Sequence, residues 1–257
     1  MKSIIHLSDL HIGHEECGNN FRAIIACISS QMKPANNFII LFTGDIVDNA
    51  NHSEQADEAV DAIEQLEKSG YLVLVVPGNH DYGTGILADE KFVGLFKKQY
   101  YKSRKITYPK LDIIDGIAFI GLDSTAGELH MLDRYLSEGE LGRVQLKRLK
   151  KILNKPEVVN RKSVVYLHHH PFDFKPGMQL KDSDDLKELI ENKIDMLLFG
   201  HYHVDPHSAG KIYHGVWGIH RCYNAGSSTH KNGNIGFQRI INLADADPGK
   251  DYDGNFI

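Results

Sequence analysis

Two hydrophobic periods alternate along this chain. Short β-rich runs at Ser3–Leu7, Phe38–Phe42 and Leu72–Val76 stand between stretches in which apolar residues recur every three or four positions. Ala23, Ile24, Cys27 and Ile28 mark the first such stretch, over roughly 20–31, and Ala56, Ala59, Ile63 and Leu66 the second, which ends before Gly70. Strands alternating with amphipathic helices predict an α/β domain with a mostly parallel sheet, because parallel strands need a crossover long enough to hold a helix.

The middle is less regular. Residues 85–100 read as a short helix and 112–122 as a hairpin turning at Asp115-Gly116. Ser137 and Glu140 have capping-box spacing at the head of a helix with Leu146, Leu149 and Leu153 on one face. Its basic residues, Lys147, Arg148, Lys150 and Lys151, read as the solvated side. Ser163–Leu167 is a strand running into HHHP, a helix follows near 183–192, and Met196–Phe199 is a strand running into GHYH. Residues 211–223 and 235–243 read as closing strands around a Gly/Ser/Asn-rich stretch at 224–236. Residues 1–244 form one expected domain, and 245–257 a polar tail that is mobile or lies along the surface.

The length, 257 residues, fits one α/β domain. Lys+Arg 29 against Asp+Glu 34 leaves a net charge of −5, which excludes a strongly basic nucleic-acid wrapper and makes nucleic acid an unexpected partner. Three cysteines, at 17, 27 and 222, cannot build a disulfide framework. No segment reaches the roughly 18–20 apolar residues of a membrane span. The apolar run of MKSIIHLSDLH is too short for a signal peptide and is broken by Asp9 and His11, so a cytoplasmic protein is expected. Homo-oligomer formation is left open. The count that changes the picture is His 15, because imidazole titrates near neutrality and binds metals.

Those histidines cluster. At five places a hydrophobic strand ends and Asp, His, Asn or Gly follows: Asp9-Leu10-His11, Gly44-Asp45-Ile46-Val47-Asp48, Gly78-Asn79-His80-Asp81, His168-His169-His170-Pro171 and Gly200-His201-Tyr202-His203. One Asp-x-His is an ordinary loop and one GNHD an ordinary turn. Five together, at the carboxyl ends of strands that line the crevice of open α/β sheets, point to one shared site. Carboxylate, imidazole and amide oxygen suit ions of borderline hardness, namely Mn, Fe, Zn, Co or Ni. The donors exceed the needs of one ion and match two ions sharing a carboxylate. His14, His52, His130, His207, His214 and His230 lack such company and read as surface or hydrogen-bonded residues.

DxH, GDxxD, GNHD, an HxP histidine and GHxH, in that order over residues 9–203, resemble the calcineurin-like metallophosphoesterases. The resemblance implies a four-layer α/β/β/α sandwich of two mixed sheets and a binuclear centre of divalent or trivalent transition-metal ions. Asp9, His11 and His203 would hold one ion, Asn79, His169 and His201 the other, and Asp45 would bridge them. His169 is taken from the histidine trio because the family's ligand lies two residues before the proline. His168 and His170 would then be neighbours behind it. His80 would assist the leaving group, and Asp81 and Asp48 would orient ligands from behind. His220 is a candidate substrate contact because it precedes the NAGSS turn. The implied reaction is in-line attack on phosphorus by a water that the metals activate.

The motif style is similar to the class III cyclic-nucleotide and glycerophosphodiester branch, so a small-molecule phosphodiester is the expected substrate. Phosphomonoester or phosphoprotein hydrolysis is a further reading. SDLHIG also resembles the opening of the SbcD-type DNA nucleases, which are longer chains. A lipid-A precursor hydrolase is disfavoured because that branch carries Arg where His80 stands. A non-catalytic scaffold is disfavoured because every ligand position holds a competent side chain. Rim residues 82–110 and 124–136, with Tyr82, Tyr100, Tyr101, Tyr108 and His130, are expected either to stack on a substrate or simply to pack.

Overall fold

Successive side chains of a strand face opposite ways, and burial on both faces produces the layers here. The computed structural model describes residues 2–125, 138–172, 178–203, 212–229, 238–254 and 256. Ser137, His130, His207, His230, most of the 124–136 rim and most of the 224–236 stretch therefore lie outside the described residues. In β1 (Ser3–Leu7), β2 (Phe38–Thr43) and β3 (Leu72–Val76), one face carries Ile5, Leu7, Ile40, Phe42 and Val75. These pack against Phe21, Ile24 and Ile28 of α1 (Cys17–Gln31), Ala59, Ile63 and Leu66 of α2 (Ser53–Lys68), and Phe92 and Phe96 of α3 (Glu90–Tyr101). The other face carries Ile4, Ile39, Leu41, Leu74 and Val76, which meet a second sheet.

That second sheet contains β4 (Lys110–Ile114), β5 (Ile117–Gly121), β6 (Ser163–Tyr166), β7 (Met196–Phe199) and β8 (Arg221–Asn224). Phe119, Val164, Tyr166, Met196, Leu198 and Tyr223 face the first sheet. Ile120, Val165, Leu197 and Cys222 face Leu146 and Leu149 of α4 (Gly142–Leu153), Val158 of α5 (Pro156–Val159), and Leu186 and Ile190 of α6 (Ser183–Ile190). The result is the expected four layers, helices outside two mixed sheets. One sheet runs β10-β9-β1-β2-β3, with β9 (Gln238–Asn242) and β10 (Tyr252–Gly254), and the other runs β4-β5-β6-β7-β8. β1 to β3 are mutually parallel, as are β5 to β8, while β4, β9 and β10 pair antiparallel. No described helix is long and apolar enough to cross a membrane.

Three local readings change. The Ser137/Glu140 pair does not begin α4, which starts at Gly142. Asp182 serves that helix end instead, accepting hydrogen bonds from Leu141 N and Gly142 N at 3.0 and 2.8 Å. The first closing strand, β8, begins only at Arg221, late in the stretch that announced it. Residues 245–257 add β10 to the first sheet, where Asp251 accepts from Tyr223 Oη at 2.6 Å and pairs with Arg221 Nε at 3.2 Å. The rim tyrosines pack: Tyr82 is fully buried and donates to Asp123 Oδ2 at 2.9 Å, and Tyr101 donates to the Val75 carbonyl at 2.6 Å.

His6 lies between the sheets with Nε2 3.0 Å from Thr43 Oγ1 and Nδ1 buried without a hydrogen bond. Burial, and next the Arg239 guanidinium, holds its pKa down at about 3. The folded ring stays neutral, whereas the unfolded chain takes up a proton below about 6.5. The contribution of this group is thus complete above pH 6.5 and is lost as pH falls towards 3, by up to about 1.4 kcal/mol per unit. Urea unfolding of wild type and His6→Gln at pH 7 and pH 5 should show the steeper loss in wild type. Equal losses would mean that His6 is not a source of the acid sensitivity.

Candidate functional site

The seven mutually parallel strands among the described residues, β1 to β3 and β5 to β8, direct their carboxyl ends to the seam where the two sheets meet, and the loops there are sharply bent. Asp9, His11, Asp45 and His201 all have left-handed backbones, with φ of 51°, 45°, 50° and 68°. That conformation costs a non-glycine residue roughly 1–2 kcal/mol, so neighbouring bonds must hold it. The Asp9, His11 and Ile12 amides donate to the Gly44, Asp45 and Ile46 carbonyls at 3.0 Å each. From the other side Ser227 Oγ donates to the Asp9 carbonyl at 2.8 Å and Thr229 Oγ1 to the Leu10 carbonyl at 2.6 Å. Two glycines allow the close approach. A Cβ on Gly78 would stand 2.2 Å from Asp45 Oδ1, and one on Gly200 1.9 Å from Ser8 Oγ and 2.6 Å from Asp9 Oδ2.

The donor atoms fall into two groups. Asp9 Oδ1 and His203 Nε2 are 2.8 Å apart, and His203 Nε2 and His11 Nε2 are 3.1 Å apart. In the second group His168 Nε2 lies 3.0 Å from Asn79 Oδ1, 3.1 Å from His201 Nδ1 and 3.3 Å from Asp45 Oδ2. Asp45 Oδ2 is also 3.9 Å from His11 Nε2, so this carboxylate stands between the groups. Asn79 Nδ2 donates to the Gly85 carbonyl at 2.9 Å, which aims its oxygen inwards.

Asp9 and Asp45 are 0% and 2% exposed, and no described Lys or Arg pairs with either. Burial alone would raise their pKa values. The His203 ring beside Asp9 instead holds that carboxyl at about 2, and His168 with His80 holds Asp45 well below the usual range. Burial would likewise make His168 harder to protonate, but Asp45 lifts it to about 9. His201 goes the other way, to about 3, through burial and the neighbouring His168. Two buried carboxylates with imidazoles and an amide oxygen, and no Lys or Arg paired with them among the described residues, form a donor set suited to transition-metal ions. Asp9, His11 and His203 could hold one, and Asn79, His168 and His201 a second, with Asp45 shared.

The sequence-selected residues divide. Asp9, His11, Asp45, Asn79, His201 and His203 come together as expected. Two rings of the histidine trio reach the second group. His169 keeps one ring nitrogen within 4.8 Å of donors on His168 and His201, while its Nδ1 lies 2.9 Å from Ser124 Oγ. His168 meets Asp45 and Asn79, because it continues the face of Val164 and Tyr166 that looks at the other sheet. His170 turns to a wall, 2.9 Å from Tyr213 Oη and against Phe199. Asp48 Oδ1 sits 3.4 Å from His11 Nδ1, where it can orient that ring.

His80 lines the cleft, its Nδ1–H donating to the Asp48 carbonyl at 2.6 Å. Asp81 does not line it. Its carboxylate accepts from Ile46 N, Val47 N and Gly78 N at 3.0, 3.2 and 2.8 Å, bracing one motif against the next. His220 is displaced furthest. It precedes β8 and so lies at the strand end opposite the site, 3.0 Å from the Ala246 carbonyl. The NAGSS turn itself does reach the site, through Ser227 and Thr229. Ser124 was missed, since a single serine after β5 carries no spacing signal. The cleft measures about 340 Å³, and Met178 and Tyr202 are its remaining walls.

The calcineurin-like phosphoesterase family matches residues 2–205. The DNA double-strand break repair protein Mre11 of Sulfurisphaera tokodaii is 24% identical over 209 residues, which is 78% of this chain and 48% of that protein. This chain thus spans about half the length of that curated relative. Among solved structures, the calcineurin-like phosphoesterase YfkN of Bacillus subtilis superposes with a TM-score of 0.54 at 13% identity, covering 93% of this chain and 83% of that one. SoxB of Thermus thermophilus, a sulfate thiohydrolase, gives 0.57 at 13% identity, covering 99% and 56%. At such identities these superpositions speak to the fold alone.

Gly200→Ala should displace Asp9 and reduce bound metal after reconstitution, measured by elemental analysis. Gly94→Ala, where a Cβ meets nothing within 4 Å, should leave metal content unchanged. Equal metal content in both variants would show that the close contact at Gly200 does not position Asp9.

Proposed function

The chain belongs to the calcineurin-like phosphoesterase family, and on that premise we propose that it is a binuclear-metal phosphodiesterase acting on a small-molecule phosphodiester such as a cyclic nucleotide or a glycerophosphodiester. The observation that carries the choice of a diester is the charge of the cleft. Its described lining consists of the metal-binding donors, His80, Met178 and Tyr202, with no Lys or Arg. A phosphomonoester dianion gains most from added cationic side chains, whereas a diester carries one charge and needs less compensation.

Bound to these residues, two transition-metal ions would supply Lewis-acid stabilisation of the phosphoryl oxygens and a more acidic water. The protein's own contribution is positioning. Asp45 accepts the His80 amide at 2.8 Å, which ties the bridging carboxylate to the loop carrying the candidate acid. The Nδ1–H of His80 is engaged by the Asp48 carbonyl, so Nε2 is the nitrogen left to hold a proton for the departing alkoxide. A Cβ on Gly85 would lie 2.2 Å from that Nε2, so glycine leaves room for the His80 ring.

Two measurements test this reading. The first is a substrate panel with Mn, Zn, Co and Fe, covering aryl diesters, cyclic nucleotides, glycerophosphodiesters, phosphomonoesters and single-stranded DNA. It should show kcat/KM at least about tenfold higher for small diesters than for monoesters, a margin of roughly 1.4 kcal/mol in transition-state stabilisation; the opposite ranking rejects the diester assignment. The second is metal content. His168→Ala should lose one equivalent of metal, while His169→Ala should weaken affinity by no more than about 10–100-fold, the range for a residue behind the ligands. A greater loss in His169→Ala would restore the assignment based on the position of the proline.

A further inference from the structure

The segment 142–162, spanning α4, α5 and the loop into β6, carries eight Lys/Arg and one acid, Glu157. It therefore holds +7 within a chain of −5, and the remaining residues sum to −12. Leu146 and Leu149 turn inwards to the core, which sends Arg143, Lys147, Lys150 and Lys151 outwards on the opposite side of the same helix. Beyond it, exposed Arg161 and Lys162 extend the charge. These six cations take part in none of the ion pairs among the described residues. Other helices carry acids at helical spacing from their lysines, Lys68 with Glu64 in α2 and Lys187 of α6 with Glu191, whereas α4 has no acid along its length. A solvated face that existed only for solubility would carry interspersed acids at helical spacing.

We propose that this flank docks the sugar-phosphate backbone of a nucleic acid, without base readout. The 12 residues of α4 extend about 18 Å, the span of roughly five phosphates on one strand of a B-form duplex. At the carboxyl end of the helix a groove of about 560 Å³ continues the track between Lys150, Arg161 and Lys193, with Glu188 its one acidic wall. An anionic lipid surface fits less well. The large apolar side chains exposed on this flank are Val144 and Val159, at 65% and 60%, and no Trp, Phe or Leu stands ready to insert. Docking here requires neither metal nor turnover, so it stands apart from the reading of the cleft.

The test is fluorescence anisotropy of a short labelled duplex DNA with the protein as purified, beside sedimentation with phosphatidylglycerol vesicles. Neutralising about four phosphates should weaken wild-type binding roughly 10²-fold between about 50 and 200 mM salt. The variant K147E/K150E/K151E should lose binding while keeping its melting temperature. A second variant, E54K/E67K on the distant α2, should bind as wild type does. Absence of salt-dependent duplex binding, binding that survives the reversal in a folded variant, or vesicle binding without duplex binding would each overturn the proposal.

Discussion

The structure depends on a pair of buried carboxylates, Asp9 and Asp45, held at the seam between two sheets with imidazoles and an amide for neighbours and no described Lys or Arg paired with them. Left uncompensated, each would cost several kcal/mol. The left-handed backbones at Asp9, His11, Asp45 and His201 add to that cost. The sandwich absorbs both through bonds that have no other purpose: Asp81 clamps three amides, and Ser227 and Thr229 pin the loop after β1 from across the seam. A cation, or pair of cations, is the component that makes such an arrangement electrostatically favourable.

The fold brings these residues together because parallel strands of two stacked sheets end along one edge. Loops after β1, β2 and β3 supply Asp9, His11, Asp45 and Asn79, and loops after β6 and β7 supply His168, His201 and His203. No helix has to be interrupted to build the site. Every donor is within a few residues of a strand whose register is fixed on both faces by burial, and that rigidity suits a centre that tolerates only small displacements.

Much of this was legible in the sequence. The strand–helix alternation announced the α/β class, the family resemblance the two sheets, and five polar clusters at strand ends the site. What failed did so for definable reasons. The distance to Pro171 singles out His169, and it does not show that the alternation of Val164, Tyr166 and His168 on one face also brings His168 to Asp45 and Asn79. Asp81 was read as orienting ligands from behind, but its backbone partners, the Ile46 and Val47 amides, lie in another loop and leave no trace in local sequence. His220 was judged by nearness along the chain to a turn, while β8 puts the length of a strand between them. Tyr82 and Tyr101 have phenol groups that suit either a rim or a core, and only the positions of Asp123 and the Val75 carbonyl settle that.

Phosphate chemistry is proposed for two opposite kinds of surface. The cleft has no Lys or Arg in its described lining and concentrates imidazole, a donor set that would bring positive charge through bound metal. The flank of α4 concentrates Lys and Arg and has no clustered metal donors among the described residues. Fixed ammonium and guanidinium groups bind phosphate without polarising it strongly enough for cleavage, and metal ions do the reverse at short range. Separating the two means that charge reversal on the flank alters attraction at a distance without touching the atoms that would perform the reaction, since screening confines its influence to about 10 Å at ordinary salt.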